Sequence, residues 1–463
     1  GSSNISYSTA PSAANGTLTL VATPPTITSF APAAGGLGQL VTLTGTNLTG
    51  VTSLLVNGVN ATASITNNTA TSLTFRVPVT TPLTGSTTVT TPNGFATSTA
   101  FTVMAAPGNA LAFDGTDDYV AFGSTPAVTG LGTGDFTLEA WVYYTGGTGA
   151  QSIIRKTGDY NLYLNGNTLH AEVWPNGVGN TAWRKADGNL VLPANRWVHV
   201  AAVWTKAATT LQLYVNGVAD GTGATTTGTV SGSENLTVGK STIYTNLLTG
   251  RLDEVRIYNA ALTPANLQAD MLSTVSATPS NLKLYLNFDQ GTPGEANTGL
   301  TTVYDLASNY AGTLTSFALA SGNSSSNWVE SYALVVPTAT AATGVTSTDF
   351  TANWTTPAVG TITNYLLDVS TSAAFTSPIS GSPFTITAGT TTRSITGLTP
   401  GSTYYYRVRA DKTSVTGQGA YSVSIPVTTC ALPVAVAQNA NLFLSAAGAA
   451  TLTATAVNNG STA

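Results

Sequence analysis

The sequence predicts an all-β chain of tandem β-sandwiches, and three observations carry that prediction. Hydrophobic residues make up 42 % of the 463 positions and charged residues only 8 %, against about 25 % charged in an ordinary soluble domain. Apolar and polar residues alternate in short runs, such as QLVTLTG, SLTFRVPV, FTLEAWVYY, LQLYVNG, YYYRVRA and TLTATAV, bounded by Gly, Pro or Asn. The runs recur roughly every ten residues, the spacing of sandwich strands. Helical periodicity is confined to TPANLQADML over 263–272. There Thr263 can cap, Pro264 suits the first helical position, and Leu267 and Met271 lie four apart.

Length and balance exclude several classes. At roughly 150 residues per domain the chain holds about three domains. No stretch approaches ~18 consecutive apolar residues, so no transmembrane helix is expected. Mean hydropathy of +0.16 and a net charge of only −5 do not fit charge-driven disorder. A pI of 4.9 offers no basic face for nucleic acid. The single cysteine, Cys430, excludes a disulfide framework or a cysteine-built zinc site. The opening GSSNISYS has neither a basic nor an apolar segment, so it reads as a mature chain or a fragment. This balance is that of an exported surface protein.

The charges are unevenly placed. Residues 1–104 carry one, Arg76, and residues 413–463 carry none. Seventeen of the 20 acids lie between Asp114 and Glu330, with five Lys and five Arg, a local balance of −7. Acid, base or metal chemistry is therefore expected only in this middle stretch.

Breaks at Thr23-Pro24-Pro25, Ala105-Ala106-Pro107-Gly108, Val336-Pro337 and Cys430-Ala431-Leu432-Pro433 divide the chain into 1–23, 24–104, 105–335, 336–429 and 430–463. In 24–104, ITSFAPAAGGLGQLVTLTGTNL, the VNGVNAT hairpin and TPNGFATSTAFTV resemble an IPT/TIG domain, an immunoglobulin-like sandwich. Val41, Leu43, Leu54 and Val56 are expected to point inward, with Gly45 and Gly58 at turns. No charged or aromatic cluster marks a ligand face in this segment, which reads as a spacer.

In 108–272, ALAFDGTDDYVAF, FTLEAWVYY, RWVHVAAVW, LQLYVNGV and GRLDEVRIYNAAL occur in the order of a laminin-G-like, concanavalin-A-like jelly roll. The segment 282–329 resembles the strand set that accompanies such a jelly roll. The resemblance implies a structural calcium between the FDG..DY strand and the DEVRIY strand, with Asp114, Asp117, Asp118 and Asp253 as the matching carboxylates. Calcium takes six to eight oxygens; the alternative is that Asp114-Gly115 and Asp117 build an Asx turn. A second candidate is a glycan site in YNLYLNGNTLHAEVWPNGVGNTAWRK, built on Tyr160, Trp174, Trp183 and Arg184, with Tyr163 and His170 nearby. Sugars take an aromatic face for C–H surfaces and amide or guanidinium groups for hydroxyls; the alternative is that Trp174 and Tyr163 are inward sandwich residues.

No catalytic residues are assigned. Glycosidases of this fold place acids at alternate positions of one strand, as in ExDxxE, so that two carboxylates flank the scissile bond, and nothing here matches. Asp253 and Glu254 are adjacent, so a regular strand turns them to opposite sides. Glu139 and His199 look like framework positions, and His199 reads as a satisfied core histidine. No GxSxG accompanies either histidine.

Residues 336–429 resemble a fibronectin type III domain through TDFTANWTTP, TNYLLDVSTSAAF, RSITGLTPGSTYYYRVRA and GAYSVSIPVTT. Trp354 matches the buried early tryptophan and Tyr404 the tyrosine corner. Tyr406, Val408 and Ala410 alternate with Tyr405, Arg407 and Arg409, the arginines reading as a solvated face with Asp368 and Asp411 as available partners. The tail resembles the opening of another sandwich repeat. SNISYSTA, GTLTLVAT and the tail's strand-like runs lack a sandwich of their own, and unpaired edges seek partners.

This order of modules resembles large secreted or surface proteins of Bacteroidota, which implies an extracellular location, reached by the type IX route. The leading expectation is a non-enzymatic adhesion or structural protein whose laminin-G-like module contacts a glycan or a surface protein. The alternatives are a filament subunit that self-associates by exchange of terminal strands, and an accessory region of a secreted glycosidase. No nucleic-acid partner and no membrane insertion are expected.

Overall fold

The computed structural model describes residues 23–451 apart from 32, 36–38, 79–83, 104–107, 124–127, 129–130, 132–133, 157, 175–181, 228–234, 242–246, 276–278, 309, 359–361, 412–418 and 433–440. The described residues fall into two compact units, one within 1–194 and 199–331, the other within 195–198 and 332–463. Their regular structure is almost all strand, 52 % of residues against 3 % helix, and none of their helices is long and apolar enough to cross a membrane.

The first sandwich packs a four-stranded sheet against a five-stranded one. Val41 and Leu43 on strand Leu40–Thr46 and Leu54 and Val56 on strand Ser53–Val56 are fully buried, together with Leu73, Phe75 and Phe101. Gly58 does serve a turn: Asn57 and Gly58 have φ of 50° and 86°, both left-handed as a two-residue hairpin turn requires. Gly45 does not. It lies inside a strand at a register shift, where a Cβ would stand 1.9 Å from the Thr26 carbonyl oxygen.

In the middle module, strand Thr249–Tyr258 is the central element. It pairs with Asn109–Asp114, Phe136–Tyr144 and Leu282–Leu286. All nine residues of Phe136–Tyr144 are buried, as expected of a strand covered on both faces. The helix appears at Pro264–Asp270, where Thr263 and Asn266 form a reciprocal capping box. Its Leu267 packs on Ala201 and Val203.

The segment 282–331 is built into the same sheets. Trp328–Glu330 pairs with Asn109–Asp114, and Ala311–Thr315 pairs with Tyr119–Phe122. Polar side chains pin it as well. The Asn109 N–H donates to Asp289 Oδ1 at 2.7 Å, Ser326 Oγ donates to Asp118 Oδ1 at 2.9 Å, and Ser331 Oγ donates to Asp253 Oδ2 at 2.5 Å. Trp328 is fully buried against Gly291, where a Cβ would stand 2.1 Å from the indole.

The C-terminal sandwich faces a three-stranded sheet with a four-stranded one. Trp354 is buried edge-on to Tyr365, and Tyr404 accepts a hydrogen bond from the Thr399 N–H at 2.9 Å, closing the corner. Tyr406, Val408 and Ala410 point into the core. Arg407 pairs with Asp368 at 3.1 Å and lies over the rings of Phe375 and Tyr421. Arg409, expected on a solvated face, is instead 3 % exposed beside Tyr421, because that ring covers the outer face of strand Thr403–Asp411.

The strand-like runs of residues 1–22 lie outside the described residues, as does most of the tail. In 441–451 no strand forms, and Leu442, Phe443 and Leu444 are exposed.

A chain ending at residue 275 should lose the cooperative thermal transition of the middle module, followed by near-ultraviolet circular dichroism. A module that melts as it does in the full chain would show the added strands to be dispensable.

Candidate functional site

The turn between strands Asn109–Asp114 and Tyr119–Phe122 gathers Asp114, Asp117 and Asp118, with one oxygen of each within 4.8 Å of the others. Asp114 Oδ1 accepts from the Thr116 N–H at 2.7 Å, so the Asx turn does form. Asp118 is fully buried and accepts from the Asp114 N–H and from Ser326 Oγ. Burial pushes its carboxyl up to about 6, the charges of Asp114 and Asp117 adding to the shift and the two hydrogen bonds opposing it. The turn closes this tightly only on glycine: Gly115 has φ of 78°, and a Cβ there would stand 2.0 Å from Thr249 Oγ1. Three carboxylates converging, one exposed and one half-buried, fit the hard-oxygen chemistry of a calcium ion, whose remaining ligands turn carbonyls and water can supply.

Asp253 does not join them. Leu111 pairs with Leu252, which sets Asp253 opposite Ala110, four residues from Asp114 and so ~13 Å along the strand. Calcium–oxygen bonds of about 2.3–2.6 Å do not bridge that gap. Its carboxylate is instead taken by Ser331 Oγ and the Glu254 N–H, and burial holds its pKa well above the usual range.

The aromatic candidates divide by strand face. Tyr160 pairs with Val173 on the core face, is fully buried against Phe136 and donates its hydroxyl to the Val128 carbonyl at 3.0 Å. It cannot meet a ligand. Arg184 also pairs with Val173, on that same face, and reaches Thr209 Oγ1 at 3.0 Å. Trp174 and Trp183 lie on the other face, stacked at 5.6 Å and 13°, Trp174 buried and Trp183 half-buried. Lys185 and Asp187 follow Trp183 at alternate positions of strand Ala182–Val191 and share its side of the sheet. They face Glu172 and His170 on the neighbouring strand. Lys185 Nζ lies 3.0 Å from Asp187 Oδ1, which also meets His170 Nδ1 at 2.5 Å, and His170 stacks on Tyr163. Trp183, Lys185 and Asp187 thus form one partly open strip of aromatic, cationic and anionic groups.

A third constellation is closed to solvent. Arg256 donates to Glu139 Oε1 at 3.2 Å, to Glu254 Oε2, and to the carbonyls of Asp270 and Ser273 at 2.9 and 2.7 Å. Tyr285 donates its hydroxyl to Glu254. Glu254 has φ of 50° at a bulge, and the adjacent carboxylates of Asp253 and Glu254 are both buried, on a strand covered on both faces. His199 lies in the core as expected but is not satisfied: among the described residues neither ring nitrogen has a hydrogen-bond partner, and Nε2 stands 3.7 Å from Glu139 Oε2. Burial is the main cause at both groups. It pushes Glu139 up to about 8 and His199 down to about 3, so the pair is neutral near pH 7. Glu139 and His199 are at most 1 % exposed, so no substrate reaches them.

Family models match three successive stretches of the chain. The model of the IPT/TIG domain matches residues 25–103, that of the concanavalin A-like lectin/glucanases superfamily 114–268, and that of the fibronectin type III domain 336–429. The chain carries a TIG, a laminin G-like and a fibronectin type III domain. No curated protein matches it. Among solved structures it is similar to a candidate carbohydrate-binding protein from Bacteroides ovatus, at 16 % identity over 61 % of this chain and 87 % of that one, TM-score 0.35. It is also similar to a heptameric SAP-like pentraxin from Limulus polyphemus (12 % identity, 39 % of this chain and 92 % of that one, TM-score 0.28) and to the FN5 domain of Drosophila Lar (25 %, 20 % and 95 %, TM-score 0.17). All three domains are of binding or structural types, and laminin G-like and fibronectin type III domains are typical of extracellular proteins.

Sequence reasoning missed Lys185 and Asp187, although counting two and four residues on from Trp183 finds both. It also missed Ser326, 208 residues from Asp118, for which the laminin G-like domain's sequence offers no local signal.

The Glu139–His199 pair makes a pH prediction. Between pH 4.5 and about 8 the folded chain keeps a proton on Glu139 that the unfolded chain has released, so this contribution is complete below 4.5 and is lost as pH rises. Between 6.5 and about 3 the unfolded chain protonates His199 and the folded chain does not, so that contribution is complete above 6.5 and is lost on acidification. Above pH 6.5 only the Glu139 slope remains of the two. Glu139→Gln should flatten the decline in stability between pH 6.5 and 8 by up to about 1.4 kcal/mol per pH unit, read from urea melts. Equal slopes in both proteins would mean that Glu139 is ionised when folded.

Proposed function

We propose that the protein is a non-enzymatic extracellular adhesion or structural protein whose laminin G-like domain contacts a glycan, the TIG and fibronectin type III domains acting as spacers. The observation that carries this reading is the strip of Trp183, Lys185 and Asp187 on one strand face, with Trp183 backed by the stacked ring of Trp174. A half-exposed indole gives a flat face for sugar C–H groups, and the ammonium and carboxylate beside it take hydroxyls. Trp183→Ala should weaken binding of the chain to its best ligand on a glycan array at least ten-fold and leave the melting temperature within a few degrees. Unchanged binding would remove the strip from the contact.

We further propose a structural calcium ion held by Asp114, Asp117 and Asp118. The ion would screen the mutual repulsion of three converged carboxylates, one of them buried. Calcium should raise the melting temperature of the wild type relative to chelator. Asp117→Asn, at the exposed member, should shrink that rise. A chelator-indifferent melt would leave the three as turn formers.

Self-association through terminal strands is a second reading, favoured by the exposed run Leu442-Phe443-Leu444. Light scattering and negative-stain images of polymers at micromolar concentration would support it; a monomer would exclude it.

A further inference from the structure

Within the first compact unit, the TIG sandwich and the strands added to the laminin G-like domain border a cleft of about 400 Å³, inside the range of about 300–1,000 Å³ of small-ligand sites, which favour domain junctions. One wall carries Asn60, Ser64, Thr66 and Arg76 from the TIG sandwich; the other carries Tyr304 and Leu306. The Arg76 guanidinium carbon lies 3.2 Å from the centre of the Tyr304 ring, a cation stacked on an aromatic face.

The chemistry of this cleft is distinctive in this chain. Arg76 is the sole charged residue among the first 104, and among the described residues no acid lines the cleft. The described lining therefore carries one cation, while Asp305, between Tyr304 and Leu306, is buried and accepts from the Tyr285, Ala307 and Ser308 N–H groups. The Thr302 hydrogen bond first, and then Arg76, hold the Tyr304 phenol below its ordinary value against burial. The remaining polar lining is short hydroxyls and an amide. Ser64 Oγ bonds the carbonyls of Ala61 and Arg76, and Asn60 Oδ1 accepts from the Thr62 N–H, which leaves the amide NH2 as a donor. A guanidinium suits a carboxylate in two-point contact, and hydroxyl and amide groups around it suit a polyol.

We propose that this cleft binds a carboxylate-bearing saccharide unit, with Arg76 on the carboxylate and Asn60, Ser64 and Thr66 on the ring hydroxyls. The site is separate from the Trp183 strip and does not depend on it. It would give the TIG domain a share in recognition, where its sequence alone offers only a spacer.

The test is calorimetric titration of the full chain with trigalacturonate, its methyl ester and a pentapeptide of glutamate. Trigalacturonate should bind, at least ten-fold more tightly than the ester, and less tightly as salt screens the guanidinium. Arg76→Gln should weaken it at least ten-fold. Because losing Arg76 also removes the stack on Tyr304, Thr66→Trp provides a second block that fills the cleft from an exposed strand position and should weaken binding equally. Arg393→Gln, a charge removed in another domain, should leave it unchanged. Absence of binding, equal affinity for the ester, tighter binding of the peptide, or indifference to both cleft variants would overturn the proposal.

Discussion

The guanidinium of Arg256 ties together more of the laminin G-like domain than any other single group described above. It is 1 % exposed, and it joins three parts of the chain: Glu139 on strand Phe136–Tyr144, Glu254 on its own strand, and the carbonyls that end the helix Pro264–Asp270. Helix ends leave carbonyls that the helix cannot satisfy, and a cation near the C-terminus answers both their hydrogen bonding and the helix dipole. Arg256 pairs with both Glu139 and Glu254, and the other partner of Glu254 is the Tyr285 hydroxyl. Tyr285 lies on strand Leu282–Leu286, so the same ion pair reaches into the added segment. Removing one member of a buried pair typically costs about 3–5 kcal/mol, because the other is left uncompensated. This makes the network a constraint on fold rather than a reservoir of chemistry.

The geometry of the aspartate turn descends from that frame. Strand Thr249–Tyr258 positions both Arg256 and, through its pairing at Asp114–Thr249, the start of the aspartate turn. Both faces of this strand are covered, so Asp253 and Glu254 are both taken out of solvent. Once that has happened, Asp253 is committed to Ser331 and the added strands, and the aspartate turn must find its oxygens locally.

Local signals were legible and long-range ones were not. Thr263 and Pro264 announced the helix, the Asn57-Gly58 pair announced a hairpin turn, and Trp354 and Tyr404 announced their corner, because each effect acts within a few residues. The domain order was legible for the same reason, since every motif that carries it is a short run. Which face of a strand turns outward was harder to read. Tyr160 and Trp183 sit in one aromatic-rich stretch, yet pairing with Val173 puts Tyr160 in the core, while Trp183 falls on the opposite parity from Arg184. A one-residue shift of register exchanges the two faces, and bulges such as that between Ser152 and Ile154 are invisible in composition. Gly45 shows the limit in another form. Nothing near it in sequence reveals that the Thr26 carbonyl stands where its Cβ would be.

The scarcity of charge then decides where recognition can occur. A domain whose one charged side chain is Arg76 cannot build an ionic site from its own sequence, and its neutral strands give a neighbour surface without an opposing charge. The same scarcity means that the one charge it has is not diluted by acids on its own domain, and Coulomb interactions strengthen where water is partly excluded. Arg76 lies where a second domain brings Tyr304 over its guanidinium and walls off one side of it. Neither half of that arrangement is a site alone: Arg76 without Tyr304 is a solvated cation, and Tyr304 without Arg76 is an ordinary surface phenol. In a chain of neutral sandwiches, charge is therefore concentrated in the one acidic domain and at the junction where that domain meets Arg76.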